Sequence, residues 1–383
     1  MPGLPLTRFR LPRSFPEPVL ALGGDQQSRF GLARGKEIMI APNFGDLRSP
    51  GNLAAYEEAL SAACRAEKFT PRTVVRDLHP AAAAFRLAPR LARSFSPPAD
   101  VAGVQHHHAH LAAVLAEHGW GGEAIGVIWD GTGYGPDGAA WGGEFLVGDF
   151  SGSRRAAHLE YVPLPGGDKA VLEPWRMAFA YLHHCGRTEA FPPPGSPGPH
   201  PEELELLGEI IEKQVNSPPT SSMGRLFDGV SALLGMGWIN ARPAAAAAAL
   251  ERAAAAGDFP PYPFGINRDS EPYLIELCPL FAALLDDLAA SRPRGEIAAR
   301  FHSTVIAIGV ETARLLSRET GLKKVVLSGG VFYNRRVREG LPSALAEAGL
   351  EPLLPLRLEP GDGGLALGQA AAVSTSPSRK ESK

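Results

Sequence analysis

The sequence predicts an α/β protein of two lobes, with a largely helical insertion in the second. Three observations predict it. Short apolar runs divided by glycine give way to segments of helical period, and this order occurs twice along the 383 residues. Between about 175 and 290 the second occurrence is interrupted by helical periodicity, a proline-rich loop and an alanine tract. A composition of 44% hydrophobic and 21% charged residues supplies apolar material for one large core or two medium ones.

Residues 1–16 hold three arginines and four prolines with no apolar run behind them, and read as a loose N-terminal extension rather than a signal peptide. The first lobe is placed at 17–120. PVLALGG, FGLARG and EIMIAP read as three short strands, and 52–66 spaces its apolar residues as a helix. TVVRDLH at 73–79 and VAGVQ at 101–105 return to strand, and a helix follows through residue 118. The second lobe is placed at 121–372. It opens with EAIGVIWDGTGYG, AWGGEFLVGDF and AAHLEYVPL, read as strands, and resumes after the insertion with the long helix IAARFHSTVIAIGVETARLLS. KKVVLSGG, an arginine-rich helix start, LEPLLPL and the helix beginning GDGG complete it; 373–383 read as a disordered tail. Two such lobes form the layout of the actin-like ATPase (ASKHA) superfamily, where a nucleotide lies between them. A single doubly wound sheet would lack the antiparallel triplets.

A formal charge of −3 gives no global basic footprint for nucleic acid or an anionic membrane. No window reaches the roughly 18 apolar residues of a membrane span, since Glu251 and Arg252 break the alanine tract. Cys64, Cys185 and Cys278 are scattered and odd in number, which suggests neither a disulfide framework nor a cysteine metal site. The expectation is a soluble, cytoplasmic protein.

The most informative segment is VQHHHAHLAAV, with four histidines in five residues where a strand meets a helix. His106 and His110 stand four apart, so a helix presents both imidazoles on one face, within reach of one metal ion. An isolated pair at this spacing is more often a solvated helix start; at the end of a buried strand it is more often a site. HExxH is absent, because His107 follows His106, and a metallopeptidase is disfavoured. Asp130 and Asp362, each at a strand end or helix start, are the candidate third and fourth ligands, although each is equally readable as a turn or cap residue. Two imidazoles and two carboxylates suit iron or zinc better than magnesium.

Three glycine-rich turns are candidates for holding an anionic nucleotide: GGDQQ at 23–27, the 130–138 segment with Gly131, Thr132, Gly133 and Tyr134, and SGGVFYN with Gly329, Gly330 and Asn334. Neither a Walker A motif nor GxGxxG is present. In SSMGRLFDGVSALLG, Gly224 opens a helix on which Arg225 offers a guanidinium to phosphate and Asp228 a carboxylate to a ribose. The same spacing also describes a plain i,i+3 ion pair.

Together VQHHHAHLAAVLAEHG, IWDGTGYGPDGAAWGGEFL, PLPGGDKAVLEPWRMA, SSMGRLFDGVSALLG, LSGGVFYNRRV and PGDGGLALGQA resemble the C-terminal carbamoyltransferase region of the HypF family, which matures nickel-iron hydrogenases. The resemblance runs from about Val19 to Ala372. It implies that carbamoyl phosphate and ATP give carbamoyl-adenylate, whose carbamoyl group passes to the C-terminal cysteine thiol of a HypE-like partner, the source of the hydrogenase cyanide ligands. It also implies that His106, His110, Asp130 and Asp362 bind the metal, and that the glycine loops, Asn334 and the 224–228 segment hold the adenylate. None of the three cysteines need act as nucleophile.

Two departures stand out. Full-length family members carry acylphosphatase-like, zinc-finger and YrdC-like domains upstream, and about twenty residues precede the first matching strand here. A short form is expected, one that performs the transfer and takes its carbamoyl-adenylate from elsewhere. The family's HPDY-like stretch is HPAA at 79–82, leaving His79 without that Asp or Tyr. The alternatives are O-carbamoylation of a small hydroxylated metabolite and a non-catalytic nucleotide-binding module.

Overall fold

The computed structural model describes residues 4–193 and 198–374, so the tail reading falls almost wholly outside it. Strand β1 (Thr7–Ala21) pairs antiparallel with β2 (Gly31–Ile40). Helix α1 (Pro50–Ala66), strand β3 (Thr73–Asp77), helix α2 (Ala83–Ser94) and strand β4 (Asp100–Val104) follow, giving a sheet of order β2-β1-β3-β4. Helix α3 (His106–Glu117) leaves the last strand directly.

Two expectations are corrected here. Residues 7–16 are not a loose extension but the first part of β1, because Phe9, Leu11 and Phe15 alternate onto the buried face. FGLARG and EIMIAP are one strand, not two: the pairing shifts register on either side of Phe15, opposite Gly35, and absorbs the glycine in a bulge instead of a turn.

The second sheet starts with the meander β5 (Ala124–Tyr134), β6 (Ala140–Asp149) and β7 (Gly152–Leu159). The chain then passes through β8 (Val162–Pro163), α4 (Asp168–Leu172), α5 (Pro174–His184), α6 (Pro201–Glu212), β9 (Pro219–Thr220), α7 (Met223–Leu233) and α8 (Ala245–Ala253). The hairpin β10 (Gly265–Asn267) and β11 (Tyr273–Glu276) precedes α9 (Cys278–Ala289) and the long α10 (Arg294–Thr320). Last come β12 (Lys324–Ser328), α11 (Arg335–Glu347), β13 (Glu351–Leu353) and α12 (Leu365–Val373). The sheet order is β10-β11-β7-β6-β5-β12-β13, so the helical insertion also returns a hairpin to the sheet edge. The two-lobed α/β architecture is the expected one.

The lobes exchange helices. Helix α3 follows the first sheet in sequence yet packs on β5, β6 and β12 of the second, while α12, the last helix among the described residues, lies on β1, β2 and β3 of the first. The two helices cross directly, and one core cluster joins Phe9, Leu111, Ile128, Val326 and Leu367. Their contact is so close that a Cβ at Gly368 would run into the carbonyl oxygen of Ala109.

The cysteine reading is also corrected. Cys185 and Cys278 form a disulfide, with Cα atoms 5.3 Å apart; only Cys64 is free. They are 93 residues apart in sequence, and the fold sets the end of α5 against the start of α9.

Candidate active site

The first turn of α3 is pinned by Gln105, whose side-chain oxygen accepts from the His108 N–H at 2.8 Å. Because α3 is wedged between sheets and α12, His106, His107, His108 and His110 are all buried. His106 and His110 share a face with ring centroids 5.0 Å apart, as i,i+4 spacing dictates. Asp130 reaches the pair from β5, at the point where pairing with β6 is interrupted between Trp129 and Gly133. Asp362 reaches it from the turn before α12. Donor atoms of His106, His110, Asp130 and Asp362 all lie within 4.8 Å of one another.

Three of these candidate donors are held from behind. His106 Nδ1–H donates to Asp77 Oδ2 at 2.7 Å, and the Asp77 Oδ1 accepts from the His79 N–H at 2.9 Å. His110 Nδ1 lies 3.2 Å from Ser328 Oγ, and that hydroxyl donates to the Pro360 carbonyl at 3.2 Å. Ser328 therefore accepts from His110, which fixes the tautomer and leaves Nε2 bare toward the carboxylates. His110 Nε2 is buried with no hydrogen-bond partner. Asp130 Oδ1 accepts from the Gly330 N–H at 2.8 Å, and its Oδ2 faces His106 Nε2 at 3.2 Å. Gly329, at φ 108° and with no room for a Cβ beside the Trp129 backbone, makes the turn that delivers this amide.

The electrostatics divide the four. Burial opposes charge on His106, yet Asp77, Asp130 and Asp362 outweigh it and hold its pKa well above the ordinary value. Burial and the neighbouring His106 charge push His110 down to about 4. Asp130 stays well below the usual range despite burial, because His106 and His110 face it. Burial and the nearby Asp130 and Asp77 raise Asp362 to about 7. An orphaned imidazole nitrogen, a second imidazole oriented by a carboxylate, and two more carboxylates form a donor set that fits a divalent cation of the iron or zinc type.

The other residues singled out in the sequence gather on two sides. Gly224 lies against Gly131, where an added Cβ would stand 2.9 Å from the Gly131 Cα. Ser222 caps α7 by accepting from the Arg225 N–H at 3.1 Å and donates to the Gly131 carbonyl. Buried Glu144 holds this junction: it accepts from the Gly142 and Gly143 amides, the Ser221 hydroxyl and the Arg155 guanidinium. Arg225 Nη1 reaches Thr132 Oγ1 at 3.4 Å, while its Nη2 is 2.6 Å from Asp228 Oδ2. Asp228 is fully buried, and its other oxygen faces Asn240, so the carboxylate is engaged inside the protein. Gly133 lies over the rings of His106 and His107; the Tyr134 ring stands edge-on to His79 at 5.6 Å. Asn334 caps α11 through Val337 and donates to His302 Nε2 at 3.0 Å, beside a cavity of about 410 Å³ lined by Asp258, His302, Ser303 and Arg336.

Family comparison follows the same chain. The family model described as the second subdomain of the carbamoyltransferase Kae1-like domain matches 126–369, more than half the chain, and the HypF Kae1-like domain matches 15–117. The chain belongs to the HypF carbamoyltransferase family. Carbamoyltransferase HypF2 of Cupriavidus necator is 38% identical over 94% of the chain and 47% of its own length. A HypF homolog from the same organism is 38% identical over 94% of the chain and 92% of its own length. The chain thus spans about half of HypF2 and nearly all of the shorter homolog. A crystal structure of full-length HypF in a phosphate- and nucleotide-bound form superposes with a TM-score of 0.89 at 31% identity, over 96% of this chain and 57% of that one.

Sequence reasoning missed Asp77, Ser328, Ser222 and His302. Asp77 ends a strand already read as such, directly before the Leu-His-Pro stretch, and that position was the available signal. His302 sits mid-helix in α10, where nothing local distinguishes it from a core histidine.

Proposed function

We propose that this chain catalyses the transfer half of the HypF reaction, moving carbamoyl from carbamoyl-adenylate to the C-terminal cysteine thiol of a HypE-like partner for cyanide-ligand synthesis. The observation that carries it is the grouping of buried His106, His110 and Asp130 with half-buried Asp362, His110 Nε2 being unpartnered. Family membership supports the reaction class. A divalent cation, iron or zinc, held by these four would polarise the carbamoyl carbonyl and offset charge on its oxygen as the thiolate attacks. The bond to the phosphate oxygen then breaks and AMP leaves.

The protein's own groups do the positioning. Asp77 orients His106, Ser328 sets the His110 tautomer, and the Gly330 amide steadies Asp130, so the donors are preorganised before substrate arrives. The Gly131, Thr132, Gly133 and Tyr134 segment with Gly224 and Arg225 is assigned to the adenylate phosphate, and the loop of Gly329, Gly330 and Asn334 with the adjoining cavity to the adenosine. Asp228 in this reading holds Arg225 in place. ATP and carbamoyl-adenylate are the nucleotides assigned to this site.

No helix among the described residues is long and apolar enough to cross a membrane, and neither membrane nor nucleic acid enters the reading. A cytoplasmic setting rests on the family alone, since the Cys185–Cys278 pair removes the argument from scattered cysteines.

The test supplies labelled carbamoyl-adenylate and a partner ending in cysteine to the native chain and to a His106→Ala/His110→Ala variant. Label on the terminal cysteine, lost in the folded variant, is expected. Label on small hydroxylated acceptors only, or none with metal-loaded protein, overturns the thiol-transfer reading.

A further inference from the structure

A second constellation of donors lies apart from the active site. His184 is the last residue of α5 and Cys185 its cap; Cys278 begins α9, and Glu160 directly follows β7. His184 Nε2 stands 3.1 Å from Glu160 Oε2. The other carboxylate oxygen accepts from the Leu277 N–H at 2.5 Å, which fixes Glu160 beside the residue preceding Cys278. Donor atoms of Glu160, His184 and Cys278 lie within 4.8 Å of one another, and the Cys185 sulfur is bonded to that of Cys278.

This is more than a stapled pair of helices. Two sulfurs, one imidazole and one carboxylate are the tetrahedral set that zinc takes, with bonds of about 2.0 to 2.3 Å and donors therefore about 3.4 to 3.8 Å apart. Cys278 sits at the first turn of a 12-residue helix, whose N-terminal amides favour a thiolate over a thiol. His184 is exposed and both cysteines are half-buried, so an ion or a reductant can reach them.

We propose that, when reduced, Cys185, Cys278, His184 and Glu160 form a second divalent-cation site of the zinc-binding class, and that disulfide formation closes it. A dithiol supplies two electrons and two protons, becomes a disulfide, and leaves Cys185 and Cys278 as thiols; in the closing direction a disulfide-bearing oxidant takes the same two electrons and two protons and becomes the dithiol. Zinc binding then releases those two thiol protons. The same junction of α5 and α9 is clipped in either state, by a sulfur–sulfur bond or by the ion.

The probe is cobalt(II), which shows a thiolate-to-metal charge-transfer band when sulfur ligates it. The full chain is reduced with a phosphine, which with one water becomes the phosphine oxide and adds no thiol of its own. Cobalt supplied in excess of both sites should develop the band, and zinc should displace it. The oxidised chain and Cys278→Ser should lack it, and His184→Ala should weaken cobalt binding about tenfold or more. His106→Ala/His110→Ala should retain the band, because the active-site donors include no sulfur. Two results overturn the proposal: a reduced chain, folded by circular dichroism, that shows no band with cobalt in excess of both sites, or a band unchanged in His184→Ala and Glu160→Gln.

Discussion

Asp77 stands outside the group of His106, His110, Asp130 and Asp362, yet it decides how His106 faces the others, through a 2.7 Å hydrogen bond to the far ring nitrogen. Replacing it by asparagine keeps the shape and removes the charge. Asp77→Asn should lower divalent-metal affinity by about 10- to 100-fold with the fold intact, read by titration calorimetry against a competing chelator. Ser328→Ala should act in the same direction, since His110 then loses the acceptor that fixes its tautomer. The four candidate donors were legible because each has a local signal, two histidines at i,i+4 and two aspartates at strand-to-helix turns, and the fold brings their donor atoms within 4.8 Å of one another. Their supports were not. Asp77 lies 29 residues from His106 and Ser328 lies 218 from His110, and only the packed sheets bring them together.

Among the elements, α7 depends on one small side chain. Ser222 both caps the helix and bonds to the 130–131 backbone, so Ser222→Ala should cost about 1 kcal/mol in denaturant unfolding. The crossing of α3 and α12 is less forgiving. Gly368→Val should destabilise by about 3 kcal/mol or more, because the added carbons meet the Ala109 carbonyl on an adjacent helix that cannot retreat. Thermal melts followed by circular dichroism measure both. Periodicity showed these helices plainly. It could not show that β1 begins at Thr7, because prolines and arginines occupy its outward positions while Phe9, Leu11 and Phe15 point inward. The hairpin β10–β11 was hidden for another reason: three- and four-residue strands are too short to establish a period.

Over the whole molecule, histidines buried without charge make stability sensitive to mild acid. Burial pushes His302 down to about 4, and His108 and His158 shift the same way for the same reason. Below pH 6.5 the unfolded chain takes protons that the folded chain refuses, so stability falls as pH drops from about 6.5 to about 4, by about 3 kcal/mol for His302 alone. Urea midpoints between pH 7 and pH 4 should decline accordingly, and His302→Gln should flatten part of the slope. The helix exchange has its own consequence at this scale. Since α3 packs on the sheet that follows it and α12 on the sheet at the far end of the chain, the core cluster between the two sheets is completed by neither half alone, although each half also holds a cluster of its own. A break in the 119–123 connection should yield two pieces that are insoluble when made separately and that reassemble into one particle when made together, a natural pair for fragment complementation.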